Sequence, residues 1–175
     1  MITDFSKGFT DRQKVTILVV LRYLAAVDGG SNDLEKKKQW AQIGQVLDVD
    51  CGNPQIQRLF AETDSIPFSR WMEILNTLNK NQKEWVIISA ISMAGTDGEI
   101  VQSEQNAIEI LCEHLDFSDD ELENIIKKMV VLQGMNRKMK SEPVKETKGI
   151  DNSGCFGVLL FFITLAVSTF FIAYI

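Results

Sequence analysis

The sequence predicts an all-α protein: a seven-helix bundle built from two related helical halves, followed by one membrane-spanning helix. Three observations predict it. Helix-start signals recur at regular intervals along the first two-thirds of the chain. No segment alternates with the two-residue period of a half-buried strand. Residues 155–175, CFGVLLFFITLAVSTFFIAYI, contain no charged side chain.

In a capping box the first residue's side chain accepts from the backbone N–H three positions on, and a Glu or Gln there reaches back. Thr10–Gln13, Asn32–Glu35, Asn81–Glu84 and Ser118–Glu121 have this spacing. Asn53–Pro54 places proline at a first helical position, where its missing N–H costs nothing, and Ser65–Ile66–Pro67 offers a further start. These signals predict helices over 11–27, 33–47, 54–63, 67–79, 82–95, 102–115 and 119–134.

The first helix carries Ile17, Val20, Leu21, Leu24 and Val27 on one face, widened by Leu18 and Val19. In the fifth, Trp85 to Ile88, Ala90 and Ile91 nearly encircle the axis. Helices apolar almost all round belong at the centre of a bundle. Arg12 and Lys14 ahead of VTILVVLRYLAAV imitate a signal peptide, but Arg22 interrupts the apolar run and Asp11 stands in the basic region. The sixth helix has a one-sided stripe, Ile108, Leu111, Cys112 and Leu115, which makes Cys112 a small core residue. Trp40 and Trp71 read as core. Lys36-Lys37-Lys38 reads as a solvated helix face, with a phosphate-binding patch as the alternative. Asp116, Asp119, Asp120, Glu121 and Glu123 crowd the start of the seventh helix, where they suit the helix dipole and offer a partner surface.

Charge divides the chain. Residues 1–135 carry a net charge of −8 and residues 136–154 a net +2. An acidic domain repels nucleic-acid phosphates and anionic headgroups, so nucleic acid is excluded as a partner. Residues 136–154, with Pro143, Gly149 and Gly154 and no apolar period, read as a flexible polar linker. As a helix, 155–175 would rise about 31 Å, close to the roughly 30 Å of a bilayer's hydrocarbon core. Basic residues precede this span, so the positive-inside bias predicts a tail-anchored protein with a cytoplasmic N-terminal domain at residues 1–135.

Cys51, Cys112 and Cys155 form no framework and read as free thiols in a reducing compartment. His114 is the only histidine, too few for a Cys/His zinc site, and a nucleophile–histidine pair would have to use it.

The first and fifth helices end in related turns. Val27-Asp28-Gly29-Gly30-Ser31-Asn32-Asp33-Leu34-Glu35 and Thr96-Asp97-Gly98-Glu99-Ile100-Val101-Gln102-Ser103-Glu104 both close a helix with Asp-Gly. Both place Glu seven residues after that Asp, and beyond the Glu the apolar stripes are out of register by about one position. Glycine after a helix suits a left-handed cap, and Glu on a first turn suits the dipole, so one reading is architectural. The other is a hard-cation site: Asp28, Asp33 and Glu35, or Asp97, Glu99 and Glu104, supply clustered oxygens of the kind Ca²⁺ requires. Neither loop is an EF-hand, because the twelfth position is Gln39 in one and Ile108 in the other.

On this turn, most clearly at Met93-Ala94-Gly95-Thr96-Asp97-Gly98-Glu99-Ile100 with Glu104, Leu111, Leu115 and Ser118–Glu121, the chain resembles the tellurite-resistance TerB-like domains over residues 10–134. It is also similar to the related N-terminal domain of membrane-anchored DnaJ-type co-chaperones. The resemblance implies a compact seven-helix bundle with paired acidic turns, sometimes binding a divalent cation, in stress or defence systems. Leu34 and Ser103 stand where the family has a second acidic residue, and no His-Pro-Asp motif is present. The expectation is a non-enzymatic, membrane-tethered adaptor or sensor with a protein partner at the membrane. The alternative is a metal-dependent hydrolase using converging carboxylate clusters.

Overall fold

In the computed structural model residues 5–27, 34–97 and 100–139 are described, with the backbone alone for Phe5, Asp97 and 131–139. The expected membrane span, most of the expected linker and residues 28–33 lie outside the described residues. Seven α-helices and no strand occur among the described residues: α1 Asp11–Ala26, α2 Leu34–Val46, α3 Pro54–Ser65, α4 Phe68–Leu75, α5 Lys80–Ala94, α6 Gln102–His114 and α7 Asp119–Met139. Short 3₁₀ turns at Phe5–Gly8 and Gly95–Asp97 were not anticipated.

Thr10 and Gln13 form the expected capping box at α1, and Ser118 and Glu121 form theirs at α7. Asn53 caps α3 ahead of Pro54. The start of α5 differs from expectation. Asn79, not Asn81, is the cap, and its box closes on Gln82. Both spacings exist in the sequence; the earlier one wins because Gln82 Nε2 then donates to Gly8 O at 2.7 Å, tying the first 3₁₀ turn to α5. Glu84 is thereby free to accept from Lys128 at 2.8 Å. α4 ends at Leu75 because residues 76–78 form the turn that delivers Asn79. α7 runs to Met139, into the segment read as linker, because no breaker precedes Pro143.

α1 and α5 are the two central helices. α1 packs on α2, α3, α4, α5 and α6, and α5 on α1, α2, α6 and α7. The all-round apolar character of α1 has a direct cause. Ile17, Leu18, Leu21 and Leu24 enter the main core with Ile87, Ile91, Leu111 and Met129, while Val15 and Val19 meet Ile56 of α3 on the opposite side. Both expected core tryptophans are partly buried against the apolar clusters, and each indole N–H is satisfied: Trp40 Nε1 donates to Leu18 O at 2.8 Å and Trp71 Nε1 to Thr63 O at 2.7 Å.

Caps and buried positions of α1–α2 recur in α5–α6. Thr10 and Asn79 cap equivalently, 69 positions apart. Across α2 and α6 the offset becomes 68: buried Ile43, Gly44 and Leu47 match Leu111, Cys112 and Leu115. Both helices then end in the same motif. Asp48 and Asp116 adopt positive φ, 54° and 61°. Val49 N donates to Gly44 O and Phe117 N to Cys112 O, each at 2.9 Å. This is a Schellman-type cap in which aspartate occupies the left-handed position usually given to glycine. The offset between the halves thus changes from 69 to 68 between the start of α1 and the start of α2, which accounts for the one-position slip of the stripes.

Candidate functional site

Two places carry functional chemistry: the seam between the first turns of α2 and α6, and a groove between α6 and α7. Of the six candidate ligands, Asp28, Asp33 and Glu99 lie outside the described residues. The backbone of Asp97 ends a 3₁₀ turn that packs against α2. Glu35 is exposed on the first turn of α2, whereas Glu104 is buried on the first turn of α6. The two glutamates paired by sequence spacing therefore occupy different environments. Among the described residues no group of three or more His, Cys, Asp or Glu side chains is arranged to hold a metal ion.

The structural partner of Glu104 is Lys36. Its Nζ lies 2.8 Å from Glu104 Oε1, with the two side chains 3% and 2% exposed. Glu104 Oε2 accepts from Val101 N at 3.1 Å, half a capping box, since Val101 has no side-chain acceptor to return the bond. The expectation of a solvated face for the lysine run is thus corrected at Lys36, while Lys37 and Lys38 are exposed. The reason is register: Lys36 begins the stripe Lys36, Trp40, Ile43, Leu47 that turns α2 toward the core. That stripe was the available signal, obscured by the adjacent lysines. Two further polar groups, Gln39 Nε2 on α2 and Ser92 Oγ on α5, are buried without a hydrogen-bond partner among the described residues.

At the other end of α6, Cys112 is buried as expected, and burial, followed by the charges of Glu109 and Asp119, pushes its thiol up to about 12. His114 packs against the Phe68 ring, centroids 5.4 Å apart. Between α6 and α7 runs a groove of about 710 Å³ lined by the acidic Glu109, Glu113 and Asp119 and the apolar Ile110, Phe117 and Leu122. Ile110 is 47% exposed. The next face of α7 is balanced by pairs: Lys80 with Glu121 at 2.6 Å and Lys128 with Glu84 at 2.8 Å. Lys80 Nζ also stands 3.9 Å above the Phe117 ring. Hydrogen bonds from the Lys80 side chain and the Ser118 backbone lower Glu121 to about 2.

No protein-family model, curated protein or solved structure matches the chain.

The two sites are suited to different work. A buried, directly bonded ion pair on facing helices holds two halves in one arrangement, since breaking it strands a charge away from water. An open groove lined by apolar side chains and charges of a single sign is suited to a segment of opposite charge carrying apolar anchors.

Proposed function

We propose that this chain is a membrane-tethered, non-enzymatic adaptor of the TerB-like type, held by residues 155–175 as a single span with its helical domain in the cytoplasm. Its partner contributes a basic segment with an apolar face, which docks in the groove between α6 and α7. The observation that carries the docking part is Ile110, half exposed in a groove also lined by Glu109, Glu113 and Asp119. The tether rests on the 21 uncharged residues from Cys155 to Ile175 and on the basic segment before them. Tethering raises the domain's effective concentration at the membrane, so a modest groove affinity suffices. A role in stress or defence follows from the TerB-like resemblance. Hydrolysis would need carboxylates converging on an open, wet pocket. Glu104, buried beneath an ammonium, favours the adaptor instead.

The test uses the full chain in a neutral detergent and a fluorescent peptide with lysine and leucine at helical spacing. Binding measured by anisotropy should be lost in Ile110→Asp and weakened in Glu109→Lys/Glu113→Lys. A scrambled peptide of the same composition, lacking an apolar face, should bind more weakly. Equal binding of the two peptides, or indifference to Ile110→Asp, would remove the groove as the docking surface.

A further inference from the structure

The offset that superposes α2 on α6 makes Lys36 and Glu104 the same position of the two halves. Each is the third residue of its helix, and each is followed by matching buried positions and the same aspartate-capped ending. These equivalent residues meet at 2.8 Å. A position that touches its own counterpart lies at the centre of the relation between the halves. If both copies carried glutamate there, two carboxylates would face each other away from water, an arrangement that needs a shared proton or a cation between them.

Lysine is a poor local choice at this place. The third residue of a helix faces the positive end of the helix dipole, where a carboxylate is favoured and an ammonium disfavoured. A buried lysine also needs a partner in hydrogen-bond reach. The contact with Glu104 offsets both costs. The divalent cation implied by the resemblance does not fit these residues. Lys36 Nζ already lies against Glu104 Oε1, and Oε2 is bonded to Val101 N. An ion entering here would be pressed against an ammonium in a low-dielectric seam.

We propose that the Lys36 ammonium is the built-in cation of the seam: it replaces a divalent ion between the two halves, so the domain closes without metal. A corollary follows from the symmetry. Lys36→Glu places a carboxylate at each equivalent position, the new one favoured by its own helix dipole, with room between them for an ion bonded to both at about 2.4 Å.

All three tryptophans lie between residues 40 and 85, so their fluorescence reports unfolding of the helical domain within the full chain. Thermal unfolding in neutral detergent is compared in chelator and in millimolar Ca²⁺, Mg²⁺ or Mn²⁺. The wild type should melt at one temperature in all four conditions. Lys36→Glu should melt lower in chelator and recover by several degrees in at least one divalent ion, but not in sodium chloride of equal ionic strength. A wild-type transition raised several degrees by a divalent ion overturns the proposal, as does a folded Lys36→Glu protein indifferent to all three. If Lys36→Glu fails to fold, the exchange Lys36→Glu/Glu104→Lys decides. Restored folding with no metal response upholds the proposal; an exchange that is also unfolded, or that needs metal, refutes it.

Discussion

Replacing Lys36 with methionine keeps most of the side chain's length and removes its charge, leaving Glu104 buried with the Val101 N–H but without its ammonium. Removing one partner of a buried pair costs about 3–5 kcal/mol, because the remaining charge has lost its compensation. For a domain of this size each kcal/mol is worth about 3–5 °C, so the melting temperature should fall by roughly 10–20 °C. A second substitution separates the pair from its surroundings. In Lys36→Met/Glu104→Leu both charges are gone and the volume is kept, an exchange that is often neutral or stabilising by about 1–4 kcal/mol. The double variant should therefore regain most of what the single one loses, despite losing the Val101 bond. Urea unfolding followed by tryptophan fluorescence measures both, with an unchanged denaturant slope showing that the same transition is being compared. A loss below about 1 kcal/mol in the single variant, the value of an exposed pair, would refute the reasoning. So would a double variant as unstable as the single.

Three further outcomes are expected. Iodoacetamide at neutral pH should label exposed Cys51 and spare Cys112, whose thiol is pushed up to about 12; peptide mass spectrometry reads both, and equal labelling would mean that the α6–α7 packing is open. Glu121 is held at about 2, below its ordinary 4.5, so its contribution to stability is fully present above pH 4.5 and is lost as pH falls toward 2; acid unfolding of Glu121→Gln should be less steep across that window than that of the wild type, and parallel curves would contradict the Lys80–Glu121 contact. Gln39→Met removes a buried amide with an unpartnered N–H and should raise stability by about 1 kcal/mol in urea unfolding, whereas a loss of that size would show that the amide has a partner such as a buried water.

The helical class and the central place of α1 and α5 were legible because amphipathic period and capping chemistry are local properties. Boundaries were less so where two local signals competed. Asn79–Gln82 and Asn81–Glu84 are equally good boxes, and only the distant Gly8 carbonyl chooses between them. The acidic turns are legible in the sequence as a repeat with a common Asp-to-Glu spacing. Spacing from Asp28 and Asp97 pairs Glu35 with Glu104, whereas packing pairs Lys36 with Glu104, because the offset between the halves is 69 at the start of α1 and α5 but 68 across α2 and α6. Lys36 was hidden by its neighbours: three lysines in a row look solvated, and only the stripe through Trp40, Ile43 and Leu47 shows which of them turns inward. The groove was foreshadowed by the acidic start of α7, but its apolar lining needs the pairing of α6 with α7. That arrangement comes from α6's buried stripe and Leu122, Ile125 and Ile126 of α7 entering the same core.

The central claim is that residues 155–175 hold the helical domain to a membrane. Alkaline extraction of isolated membranes tests it, comparing the full chain with a chain ending at residue 154. The full chain should stay in the membrane pellet. The shortened chain should leave with the soluble fraction, its helical circular dichroism and cooperative melting intact. A full chain released by alkali, or a shortened chain still retained in the pellet, would contradict the account.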